Sequence, residues 1–149
     1  MTAIPLPQQH DPVITVIVNV EIAIVHAGRY LVTERGNGES YGAGWLGFPG
    51  GKLEPGETPE SALIRELQEE LAIMVEPPCL APLTFASHSY PEFHLLMPLY
   101  LCRRWDGEVS RREHSAIAWV KPVRLGDYPM PPADKPLVAY LQEFARRHG

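Results

Sequence analysis

The 149-residue chain is 45% hydrophobic and 21% charged, which excludes a disordered or fibrous polymer and suits one domain with a packed core. Its formal net charge of −5 argues against a protein that grips a nucleic-acid polymer, yet it leaves room for a small phosphorylated ligand accompanied by divalent cations. No apolar run is long and uninterrupted enough to span a bilayer, and Cys79 and Cys102 form no motif, so the sequence reads as a cytoplasmic protein with two buried thiols and no membrane partner.

Residues 1–12 lack a basic segment followed by an apolar one, and read as a flexible lead-in rather than a signal peptide. A single domain is expected over residues 13–149. Val13 to His26 is rich in Val and Ile, interrupted by Thr15, Asn19 and Glu21, and predicts a long strand. Ala27-Gly28-Arg29 predicts a turn and Tyr30 to Arg35 the returning strand. Gly36 to Gly44 reads as a flexible loop. Gly47 to Leu53, with Pro49-Gly50-Gly51 inside it, should not form a regular strand interior. Thr58 to Leu71 is the clearest helix: Thr58 suits the cap, Pro59 the first turn, and Leu63, Leu67 and Leu71 make one apolar stripe. Strands follow at Leu80 to Ser87 and Phe93 to Arg104, then a turn at Asp106-Gly107 and a strand at Ser115 to Val120. Lys135 to Arg147 predicts a closing helix with Leu137, Leu141, Phe144 and Ala145 on one side. This order of strands, helix, strands, helix gives an α+β class, with a mixed sheet between helices.

The chemistry concentrates in Gly50 to Ile73, GGKLEPGETPESALIRELQEELAI. Glu66, Glu69 and Glu70 stand at i, i+3 and i+4 and crowd one edge of the helix. Such spacing costs a few tenths of a kcal/mol per pair, roughly, unless a hard cation such as Mg²⁺ relieves it. Before the helix, Gly50, Gly51 and Gly56 permit close approach of backbone to a ligand, and Lys52, Glu54 and Glu57 add charge where a turn needs none.

Together these residues resemble the signature of the Nudix hydrolases. Gly51, Glu57, Arg65, Glu66, Leu67, Glu69, Glu70 and Ile73 fall on its fixed positions in register, and the one departure is Ala72 where the signature has glycine. Phe48-Pro49-Gly50-Gly51-Lys52-Leu53-Glu54, the hairpin-like Trp105-Asp106-Gly107-Glu108, and Pro131-Pro132-Ala133-Asp134-Lys135-Pro136 are similar to the MutT-like subgroup. The resemblance spans about Val13 to Leu141. It implies the Nudix fold, a mixed sheet sandwiched between helices. It also implies hydrolysis of a nucleoside triphosphate at the inner of the two outer phosphates, releasing a nucleoside monophosphate and pyrophosphate.

The same resemblance assigns roles. Glu69 and Glu70 are implied as metal ligands, with the Gly50 carbonyl and the distant Glu113 as further ones. Glu66 is implied as general base or as another metal ligand. Glu57 and Arg65 form a supporting ion pair, and Lys52 and Arg35 neutralise phosphate or orient the base. Mg²⁺ is the expected cofactor, with Mn²⁺ a substitute, and the protein is expected as a monomer or homodimer. Ala72 should occupy a left-handed helix cap at a cost of about 1 kcal/mol.

Base choice is open between two nucleotides. Asp134 stands where MutT-like proteins read an oxidised guanine, and its carboxylate accepts from N1–H and the exocyclic amine of 8-oxoguanine. It equally accepts from the amine of cytosine, which suits a CTP or modified-cytosine enzyme. Asp134 also suits a helix cap. Tyr90 and Phe93 are candidates to stack on the base. A Nudix hydrolase for ADP-ribose or a dinucleoside polyphosphate would carry the same signature, and so would a non-enzymatic ligand sensor, although the intact carboxylates weigh against the sensor.

Overall fold

The long Val- and Ile-rich run forms β1 (Val16–His26), around which the remaining strands are arranged. The computed structural model describes residues 3–4, 13–34, 46–112 and 116–148. The expected loop 36–44, and the candidate residues Arg35 and Glu113, lie outside these. β1 starts three residues later than the sequence suggests, because its register with β6 begins only at Val16; Val13 and Ile14 are exposed.

The other strands are β2 (Arg29–Glu34), β3 (Leu46–Gly47), β4 (Gly50–Lys52), β5 (Ala81–Ser89), β6 (His94–Cys102) and β7 (Ile117–Val120). The helices are α1 (Pro59–Leu71) and α2 (Lys135–His148). β1 runs parallel to β6 and antiparallel to β2 and β4, while β5 pairs with β6, and β3 and β7 with β2. The sheet is therefore mixed, and helices cover both faces, as expected.

Alternation along β1 builds two cores. Val20, Ile22 and Ile24 pack with Ala62, Leu63, Leu67 and Leu71 of α1. Ala23 packs instead with Phe48, Met97, Leu99 and, from α2, Leu137, Val138 and Leu141. The register agrees: Ile22 and its partner Tyr100 share the α1 layer, and Ala23 and its partner Leu101 the α2 layer.

Three expectations need correction. The Gly47–Leu53 stretch is broken only at Phe48 and Pro49, with β3 and β4 paired on either side. Pro49 lacks an N–H, but its carbonyl accepts from the Ile22 amide at 3.0 Å. The Trp105–Glu108 segment is no hairpin between two strands: Asp106 and Met74 exchange hydrogen bonds of 3.0 and 2.8 Å, and the Ser110 amide donates to the Leu71 carbonyl at 2.9 Å. The segment thus docks on the C-terminal end of α1, where helix carbonyls need donors. Finally, Cys102 is buried but Cys79 is only half-buried, since it sits in a short 3₁₀ turn.

Candidate active site

The helix that carries the acidic residues is fixed at both ends by its own sequence. Thr58 and Ser61 cap reciprocally, each side chain accepting from the other's amide, at 3.1 and 2.9 Å. At the far end Ala72 adopts φ 61°, ψ 31°, the left-handed cap, and its amide donates to the Gln68 carbonyl at 3.2 Å. Alanine therefore takes the conformation that the signature glycine would supply.

Arg65 is the hub of the charged edge. Its Nε donates to Glu57 Oε2 at 2.7 Å and its Nη2 to Glu57 Oε1 at 2.9 Å, a two-pronged contact that ties loop to helix. Nη1 donates to Glu66 Oε1 at 2.9 Å and to Glu69 Oε2 at 3.3 Å, and Nη2 reaches the Lys52 carbonyl at 3.4 Å. The Arg65 bonds, joined by one from the Glu54 amide at 2.8 Å, hold the Glu57 carboxyl down at about 2. Lys52 itself is exposed on β4.

Glu66 lies where helix and loop meet. Its side chain is 15% exposed. A Cβ on Gly51 would come within 2.5 Å of Glu66 Oε1, so only glycine leaves the carboxylate this room. Gly50 is held similarly against β1, where a Cβ would meet the Val20 carbonyl oxygen at 2.0 Å. Burial first, then hydrogen bonding and repulsion from Glu70, push the Glu66 carboxyl up to about 7, against the pull of Arg65. Two carboxyl groups in hydrogen-bond contact must share a proton or a cation, and an all-oxygen donor set suits a hard cation such as Mg²⁺. Glu69 is more exposed and leans on Arg65. Among the described residues no three His, Cys, Asp or Glu side chains converge on one metal position.

The other layer holds the base-reading candidates. Asp134, in the turn Pro132–Asp134 that opens α2, is 1% exposed, and both carboxylate oxygens are buried without a hydrogen-bond partner among the described residues. It does not cap α2. The second helical position is Pro136, which has no amide hydrogen, and neither Asp134 oxygen accepts from the Leu137 amide. Tyr90 and Phe93 stack on each other at 4.8 Å in the turn between β5 and β6, and the Tyr90 amide donates to the Phe93 carbonyl at 2.9 Å. That turn lies along β6 from Leu99 by roughly 20 Å, at about 3.4 Å per residue, so the pair is remote from the Gly50–Gly51 loop.

Two features are not apparent from sequence. Glu21, in the middle of β1, is 1% exposed. Its signal was present, since it interrupts a Val/Ile run. The Tyr100 hydroxyl donates to Glu60, and burial first, then this bond, pushes the phenol up to about 12. Strand periodicity could place Tyr100 toward α1 but could not find its partner.

Comparison with known proteins gives a consistent picture. The family model described as the NUDIX domain matches residues 20–140. An 8-oxo-dGTP diphosphatase of Escherichia coli is 37% identical over 106 residues, which is 71% of this chain and 81% of the relative. A CTP pyrophosphohydrolase of the same organism is 35% identical over 124 residues, 81% of this chain and 88% of the relative. The solution structure of the E. coli ORF135 protein superposes with a TM-score of 0.81 at 28% identity, covering 93% of this chain and 98% of that one.

Proposed function

The chain belongs to the NUDIX family, and from that premise we propose that it is a nucleoside triphosphate diphosphatase, dependent on Mg²⁺ and accepting Mn²⁺, whose preferred substrate is 8-oxo-dGTP. The observation that carries the reading is the Glu66–Glu70 carboxyl pair, set against Gly51 and braced by Arg65. Glu69, Glu70 and the Gly50 carbonyl would hold the cation, with Glu113 a further ligand, which leaves Glu66 to act as the base. When bound, the cation neutralises phosphate charge and acidifies water.

The remaining work falls to the chain. Glu66 accepts the proton of the attacking water, since its carboxyl sits near neutrality rather than in the usual carboxylate range. Arg65 fixes the direction in which Glu66 points and keeps Glu57 ionised. Lys52 and Arg35 offset charge on the leaving pyrophosphate. Asp134 accepts from N1–H and the exocyclic amine of the base, which supplies the donors its buried oxygens lack.

A second reading, a CTP or modified-cytosine pyrophosphohydrolase, is supported by the similarity to the CTP enzyme and by the ability of Asp134 to accept from a cytosine amine. No helix among the described residues is long and apolar enough to cross a membrane, and we propose a cytoplasmic monomer or homodimer.

Pyrophosphate release from 8-oxo-dGTP, dGTP, dCTP and CTP, with Mg²⁺ and with excess EDTA, tests the reading. Preference for 8-oxo-dGTP with strict cation dependence supports it, and preference for CTP moves the assignment to the second. Asp134→Ala should lose about tenfold or more in kcat/KM for 8-oxo-dGTP and dGTP alike, and less for dCTP and CTP.

A further inference from the structure

We propose that the cleft at the end of the sheet away from Gly50 is an accessory binding site for a nucleoside monophosphate. Its volume is about 500 Å³, within the range of small-ligand sites. Glu21 is the β1 partner of Gly50, and His26, on the cleft wall, lies further along β1, roughly 17 Å away at about 3.4 Å per residue. The cleft is therefore separate from the catalytic loop, and independent of the base that the enzyme prefers.

Three kinds of group line the cleft, and a nucleotide carries the complement of each. Arg103 and Arg104 leave the end of β6 together, both exposed. Among the described residues neither guanidinium has an ion-pair or hydrogen-bond partner. Two adjacent planar forks match a phosphate dianion, whereas a single carboxylate would occupy only one of them. Trp105 follows, half-buried, with its indole edge to face with the His26 ring at 6.3 Å. Trp119 stacks on Trp105 at 6.2 Å and holds the indole in place. A rigid aromatic wall accepts any nucleobase, since each has a π-face.

Glu76 and Asp106 complete the lining with acceptors, which suit ribose hydroxyls or an exocyclic amine of the base. The arginines precede Trp105 and Asp106 follows it, tied to Met74 by hydrogen bonds of 3.0 and 2.8 Å, with Glu76 just beyond Met74. The cations thus stand on the β6 side and the carboxylates beside the segment that follows α1. Phosphate at the arginines leaves the base for Trp105 and the sugar for the carboxylates.

Cys79 lines the cleft and is half-buried, while Cys102 is buried, so alkylation of Cys79 by iodoacetamide reports occupancy. The test uses the full chain in EDTA, as wild type, Arg103→Glu/Arg104→Glu and Arg104→Gln. The probes are GMP, ribose 5-phosphate, inorganic phosphate and the zwitterion glycylglycine. GMP should slow alkylation saturably, and ribose 5-phosphate should protect more weakly because it cannot stack. The double variant should raise the half-protecting GMP concentration about tenfold or more, and Arg104→Gln should raise it less. Both variants should keep the wild-type kcat/KM for nucleoside triphosphate. Calorimetry with GMP should count one site fewer in the double variant than in wild type, which decides the matter even where Cys79 reacts slowly. Equal site counts, or protection unchanged in the double variant, overturn the site. Inorganic phosphate protecting as well as GMP, or glycylglycine protecting better, overturns the nucleotide assignment. Absence of diphosphatase activity in wild type with GMP protection intact overturns the substrate reading and supports the cleft site.

Discussion

Arg65 grips Glu57 with two parallel hydrogen bonds, and through that grip the loop before α1 and the carboxylates on α1 become one rigid body. A lysine offers one point charge in place of a planar fork. Arg65→Lys should therefore lower kcat by about tenfold or more while KM changes less, because Glu66 loses its brace. Steady-state kinetics on the preferred nucleotide check this; unchanged kcat would show that Arg65 only anchors the loop. Glu57, held at about 2, contributes stability that is present above its ordinary value of 4.5 and lost as pH falls through about 2. Glu57→Gln should flatten that acid limb of a melting-temperature profile.

Gly51→Ala is a test of crowding. The added methyl would sit 2.5 Å from Glu66 Oε1 and 2.7 Å from its Cδ. Glu66 must swing away, so the variant should fold, with a lower melting temperature, and lose at least about tenfold in kcat. Activity near that of wild type would mean that the position of Glu66 is not required for turnover.

Glu69→Gln and Glu70→Gln separate ligands from scaffold. A neutral amide binds Mg²⁺ poorly, so each should lower kcat by a factor of about a hundred or more with the fold intact. Titration of Mg²⁺ against turnover checks whether excess cation rescues either variant. Full turnover in one of them at saturating Mg²⁺ would remove that residue from the metal set.

The Glu66 carboxyl gives a sign to the pH dependence. Its folded value of about 7 lies above 4.5, so the fold favours the protonated form. The corresponding stability is fully present below pH 4.5 and is lost as pH rises through about 7. Metal-free protein should thus melt at progressively lower temperature between pH 5 and 8, roughly, and the gain from added Mg²⁺ should grow over the same range. Melting curves in EDTA and in Mg²⁺ test this, and a gain independent of pH would contradict it.

Ala72→Gly should stabilise the protein. Alanine in the left-handed cap costs about 1–2 kcal/mol, and glycine recovers part of this against its greater entropy when unfolded. A rise of a few degrees in melting temperature with unchanged kcat is expected.

Much of this was legible in the sequence because it is local. Thr58-Pro59 and the leucine stripe define α1, and the signature spacing pairs Glu57 with Arg65 without reference to the fold. The left-handed cap at Ala72 also followed from its place in the signature. What was not legible depends on contacts between distant segments. The docking of Asp106 on Met74 replaces a hairpin that the family resemblance suggested. A base-reading role for Asp134 could not be separated from a capping one until the fold showed its oxygens buried and unmatched among the described residues. Glu21 looked like an interruption of a strand, since nothing in a one-dimensional pattern says that its side chain is buried in the sheet.

The division of β1 into alternate side chains has an evolutionary corollary. Val20 and Ile22 back the helix that bears the carboxylates, whereas Glu21 and Ala23 back the layer of Phe48 and Asp134. The strand acts as a partition, so mutational drift on one side is insulated from the other. If the α2-side layer reads the base as proposed, a lineage can exchange residues there and acquire a new base without re-solving the phosphate chemistry. The protein is in this sense modular within a single sheet, and a library confined to the α2-side layer is the natural place to evolve new nucleotide selectivity from it.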